Sequence, residues 1–181
     1  MLDSREDKKN NFKKAGSIVS ICIFLLLVAV ISVLSVNYRR TVRVISYDTA
    51  GINVIHADEP GDYRWFFDNL DVRFFGEGKQ LFYISGWAVK EYVDSDDVKL
   101  SIILKDEENS EYFLVPTYNG YRPDVSHMTD DEYDYDISGF SLHTRGDGVL
   151  KINEHSYRVC ILYDTADGSE LVETGEILQK R

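Results

Sequence analysis

Four carboxylates at alternate positions, Asp130, Glu132, Asp134 and Asp136, open the question of chemistry in this 181-residue chain. Clustered carboxylate oxygens are the ligand set of a hard cation, and calcium is the ion they would suit. Asp134-Tyr-Asp136-Ile-Ser138-Gly139 matches the first six positions of an EF-hand loop. The twelfth position is Arg145, where a bidentate Glu is required, and the flanking residues read as strand, not helix. No cofactor is therefore expected; the acidic run reads as a solvated loop, with a looser calcium site built from the four carboxylates as the alternative. Interleaved with them are tyrosines. Tyr118, Tyr121, Tyr133 and Tyr135 lie in the same polar stretch and read as exposed contact aromatics that could stack on a sugar. Arg122 and Asp124 flank Pro123, which biases Arg122 to an extended backbone. The pair is expected to tie the stretch to a sheet, with ligand contact as the alternative role.

Catalytic patterns are missing. There is no Gly-x-Ser-x-Gly elbow, no His-Glu-x-x-His and no phosphate-binding glycine loop. His56, His127, His143 and His155 are scattered. The chain is expected to be non-catalytic, with an enzyme or metal-dependent site in loop 116–137 as an alternative. Cys160, in Tyr157-Arg-Val-Cys-Ile-Leu-Tyr163, is read as a buried, inert thiol.

The elements that must position these residues are strands. Leu70, Val72 and Phe74 alternate with Asp71 and Arg73. Residues 81–89 are apolar at almost every position, the pattern of a strand covered on both faces. Val98, Leu100, Ile102 and Leu104 alternate with polar neighbours, the pattern of a half-buried strand. Tyr157, Val159, Ile161 and Tyr163 share one face, and residues 171–178 close the chain. Asp147-Gly148 and Asp167-Gly168 are hairpin dipeptides. Trp87 reads as sandwich core. Residues 116–137 lack a period, with a one-turn helix capped by Thr129 expected inside them. After residue 36 no apolar stripe of helical spacing is sustained. The sum is an all-β, mainly antiparallel sandwich.

Residues 15–36 contain no charge and are uniformly apolar. A helix of that length would reach about 33 Å, enough for a hydrocarbon core of ~30 Å. The expected organisation is a cytoplasmic tail (1–14), a transmembrane signal-anchor helix (15–36), a stem with short strands (37–62) and a β-sandwich (63–181). Five Lys and Arg precede the span. Arg39, Arg40 and Arg43 follow it, so the N-terminus is expected in the cytoplasm and the sandwich outside the cell. This makes the chain a single-pass protein of the cell membrane, with the bilayer as a partner through residues 15–36.

Charge separates the segments. Residues 37–181 hold 15 Lys and Arg against 28 Asp and Glu, a net charge of −13. That balance argues against nucleic acid as a partner. An apolar content of 44% with 13% aromatics excludes a disordered, solvating tail.

Three landmarks, Ile84-Ser-Gly-Trp-Ala-Val89, Tyr121-Arg-Pro-Asp-Val125 and Ile137-Ser-Gly-Phe140, stand in an order that resembles an Ig-like β-sandwich accessory domain of bacterial surface-polysaccharide glycosyltransferases and envelope proteins. The resemblance covers roughly residues 80–178, with no room for a glycosyltransferase domain. It implies a role in recognition or scaffolding at the bacterial cell envelope, linked to surface polysaccharide, with envelope glycan or envelope proteins as partners. A carbohydrate-binding module, with Tyr118, Tyr121 and their neighbours stacking on sugar, is the first alternative.

Overall fold

The computed structural model describes residues 21–34, 44–75, 79–128, 132–145 and 149–179. The chain divides into two compact units, Met1–Thr41 and Val42–Arg181.

In the first unit residues 21–34 are helical (α1), and their side chains are exposed. Fourteen residues at ~1.5 Å each reach about 21 Å, short of a ~30 Å hydrocarbon core. Among the described residues no helix is long and apolar enough to cross a membrane. The transmembrane helix read over 15–36 is thus not supported. The single-pass cell-membrane localisation and the orientation that depended on it fall with it. Residues 15–20 and 35–36 of that reading lie outside the described residues, as does the tail at 1–14.

The second unit is a β-sandwich. Its strands are β1 (Ile45–Tyr47), β2 (Asn53–Ile55), β3 (Tyr63–Phe75), β4 (Lys79–Lys90), β5 (Lys99–Asp106), β6 (Tyr112–Val115), β7 (Tyr118–Gly120), β8 (Gly139–Arg145), β9 (Tyr157–Thr165) and β10 (Gly168–Leu178). Six form one sheet in the order β1-β6-β5-β9-β10-β2, and four form the other in the order β3-β4-β8-β7. Every pairing is antiparallel except β10 with β2. Both strands of the segment read as a stem are sheet edges, so the sandwich begins near Val44 instead of Tyr63.

Period-two alternation builds the core. Phe82 and Ile84 of β4 and Phe140 and Leu142 of β8 face Leu100, Ile102, Leu104, Val159, Ile161 and Tyr163 of the larger sheet, and all are buried. Burying each such side chain stabilises the fold by about 1.5–3 kcal/mol. The larger sheet is covered on its other face too. Ile103, Cys160, Leu162 and Leu171 are buried there beneath Tyr47, Ile52, Val54, Tyr112 and Leu114. The half-buried strand expected over 98–104 is therefore enclosed on both faces. Burial pushes the Cys160 thiol up to about 12, which makes it a poor nucleophile.

Carboxylates on and beside this sheet tie it to pH. Burial works against the Glu173 carboxylate, but Lys105 at 2.7 Å and His56 at 3.1 Å outweigh it and hold its pKa below the ordinary glutamate value. Glu170 is depressed in the same way, its burial outweighed by Lys90 and Tyr63. Depressed carboxylates contribute stability that is present above their unfolded pKa, roughly 4.3 for Glu, and lost as pH falls through the folded value. Thermal melts are expected to hold steady above about pH 5 and to decline below about pH 4, and Lys105→Met is expected to flatten that decline. A melting temperature that rose on acidification would contradict this linkage.

Candidate functional site

The long connection from β7 to β8 is ordered by side chains that the sequence offers as ligand contacts. Helix α2 (Pro123–Met128) begins at Pro123, and Pro suits a first helical turn because its missing N–H has no partner there. The helix lies before Thr129; the one-turn helix expected after a Thr129 cap falls on residues 129–131, outside the described residues. Arg122 grips Asp124 through Nε and Nη2 at 2.9 and 2.8 Å, and reaches Asp68 on β3 through Nη1 at 2.6 Å. Asp124 first, then Asp68, raises the guanidinium pKa further, and Arg122 in turn lowers that of Asp124. The Arg122 stem lies on Gly139, where a Cβ would stand 2.7 Å from its Cγ. Arg122 thereby bridges the loop and the β-bulge between Phe67 and Asn69.

The four loop tyrosines separate. Tyr135 is fully buried with Val89 and Val125, and Trp87 packs against them. Its hydroxyl accepts the Tyr92 backbone N–H at 3.1 Å. Trp87, read as inter-sheet core, belongs to this outer cluster instead. Tyr133 packs edge-on to Tyr92 with ring centroids 6.0 Å apart. Tyr121 is exposed and hydrogen-bonded to Asp136, which raises its pKa. Tyr118 alone stands on the sheet itself, in β7, 57% exposed.

Among the described residues Glu132, Asp134 and Asp136 form no group with metal-ligand spacing. Asp130 lies outside the described residues. The Asp134 carboxylate accepts the Asp136 N–H at 2.8 Å, and Asp136 accepts the Ser126 hydroxyl at 2.8 Å. Both serve the loop's own turns. Among the described residues one group has metal-ligand spacing: Asp106, Glu108 and His155. It ties the turn of the β5–β6 hairpin to the residues just before β9. Asp106 accepts the N–H groups of Glu108 and Asn109 and faces His155 Nδ1 at 2.7 Å, while Glu108 accepts from Ser156.

A different site lies on the solvent face of the smaller sheet. One register row crosses all four strands: Asn69 on β3 pairs with Ser85 on β4, Ser85 with Ser141 on β8, and Ser141 with Tyr118 on β7. The next row toward the far end is Asp71, Tyr83 and His143. The Tyr83 and His143 rings lie 4.5 Å apart at a 31° tilt, and the Arg73 guanidinium sits 4.8 Å from the Tyr83 centroid. Arg73 also pairs with Asp71 at 3.0 Å. Asn69, Tyr83, Ser85, Tyr118, Ser141 and His143 line one depression of about 240 Å³. The cleft beside Leu70, Val72 and Ile177 is of similar size, about 280 Å³, but has no aromatic wall.

Of the residues proposed from sequence, Tyr118 alone lines this depression. Tyr83 is hidden because 81–89 reads as continuously apolar, and His143 reads as a scattered histidine because its ring partner lies 60 positions away. The available signal was the alternation of Tyr83 and Ser85 with Phe82 and Ile84, and of Ser141 and His143 with Phe140 and Leu142. The chain matches no protein-family model, no curated protein and no solved structure.

Proposed function

We propose that the second unit is a non-catalytic recognition module whose ligand is a carbohydrate, bound on the outer face of the four-stranded sheet. The observation that carries this reading is the depression in which Tyr118 and the Tyr83–His143 stack surround Asn69, Ser85 and Ser141. A sugar ring offers a C–H face to an aromatic plane and a rim of hydroxyls to amides and alcohols. Asn provides two donors and an acceptor, and each Ser provides one donor and an acceptor. Aromatic walls with a few placed polar groups are the usual make-up of a small-ligand site. The resemblance to accessory domains of surface-polysaccharide glycosyltransferases supports the same ligand class, and with it a place at the bacterial cell envelope.

Tyr83→Ala and Tyr118→Ala are each expected to weaken binding to a retained polysaccharide about tenfold, equivalent to ~1.4 kcal/mol, measured by affinity electrophoresis. Tyr121→Ala is expected to change it little. Loss of binding in Tyr121→Ala with retention in Tyr83→Ala would move the site to loop 116–137.

A further inference from the structure

The floor of the depression is a row and not a pocket. Asn69, Ser85, Ser141 and Tyr118 stand side by side across four strands, and β3 and β7 are the two edges of that sheet. At ~4.8 Å per strand the row is about 14 Å long. Larger side chains border the row on both sides. On one side stand Tyr83 and His143, and on the other Arg122 reaches from Gly139 to Asp68. The result is a trough perpendicular to the strands, with the small side chains of Asn69, Ser85 and Ser141 along its bottom and the Tyr118 ring at its β7 end.

The bordering charges are already matched. Arg73 is paired with Asp71, and Arg122 with Asp68 and Asp124. A polyanionic ligand would have to compete with these carboxylates for its cations, against the net charge of −13 on residues 37–181. A cationic ligand would face carboxylates already held by Arg.

From this geometry we infer that the trough takes an uncharged oligosaccharide segment laid across the strands, several sugar units long, in preference to a monosaccharide or a charged polysaccharide. This rests on the carbohydrate reading above and narrows it.

The test is titration calorimetry on the full chain with three sets of probes. These are neutral oligomers of glucose, mannose, xylose and N-acetylglucosamine from one to six units, polygalacturonate and heparin as polyanions, and chitosan as polycation. Affinity is expected to rise at least tenfold from one unit to four within a neutral series. Ser141→Tyr, which fills the floor at an exposed position, should remove that gain, with an unchanged melting temperature showing that the fold persists. Binding confined to the charged polymers, or equal affinity for one and four units, would overturn the inference and leave carbohydrate recognition standing. Binding to none of the probes would overturn both.

Discussion

Tyr135→Ala is expected to lower stability by about 3–4 kcal/mol, the cost of emptying a fully buried aromatic site. Tyr135 is the centre of a small core between the long loop and the outer face of β4, where it meets Val89 and Val125, with Trp87 packed alongside. Its hydroxyl also receives the N–H of Tyr92, whose φ of 67° is costly for a bulky side chain. Alanine removes both the ring and the acceptor that holds Tyr92. Tyr135→Phe keeps the ring and is expected to cost about 1–2 kcal/mol, near the value of one buried hydrogen bond. Urea denaturation separates the two. An Ala variant within ~0.5 kcal/mol of wild type would mean that the loop is not packed as described.

Gly86→Ala is the second large effect, expected to cost about 3 kcal/mol. A Cβ on Gly86 would lie 2.0 Å from the Phe66 carbonyl oxygen and 2.9 Å from Phe140 Cζ. The first contact is backbone, so no rotamer change relieves it. The β3 bulge brings that carbonyl over Gly86, and the same bulge places Asp68 within reach of Arg122. The glycine of Gly86-Trp87-Ala88 thus admits the bulge, Trp87 roofs the outer cluster, and the glycine of Ser138-Gly139-Phe140 admits the Arg122 stem. The three landmarks of the sequence meet in one structural joint. A Gly86→Ala protein with an unchanged urea midpoint would show that β3 does not approach β4 in this way.

The larger outline of the sandwich was legible because one kind of information suffices for it. Tyr157, Val159, Ile161 and Tyr163 alternate cleanly, and β9 lies where that alternation puts it. What lay beyond reading was coverage. Residues 81–89 look enclosed on both faces, yet Tyr83 and Ser85 meet solvent. Residues 98–104 look half-buried, yet Ile103 is enclosed. Which strand gains a second cover depends on where Tyr47, Ile52 and Leu114 travel, and no local period encodes that. The same limit applies to the apolar run near the start, where hydropathy alone suggested a span longer than the 14 helical residues described.

The site was hidden for a related reason. Asn69, Ser85, Ser141 and Tyr118 are separated by up to 72 positions in sequence and share a row only through strand register. The loop 116–137 drew attention instead, because its tyrosines and carboxylates are adjacent in the chain. Several of those groups hold the loop itself: Tyr135 is buried, and Asp134 and Asp136 accept hydrogen bonds from its own turns. Arg122, Asp124, Tyr135 and Asp136 are engaged with one another or with the sheet, whereas the flat, unobtrusive serines of β4 and β8 form the floor of the depression.

The most direct test of that surface is a heteronuclear NMR titration of the full chain with a neutral oligosaccharide that calorimetry shows to bind. The expected result is a set of saturable amide shifts at Asn69, Tyr83, Ser85, Tyr118, Ser141 and His143, with the outer face of the six-stranded sheet unmoved. Shifts confined to residues 121–137, or to the six-stranded sheet, would contradict the account.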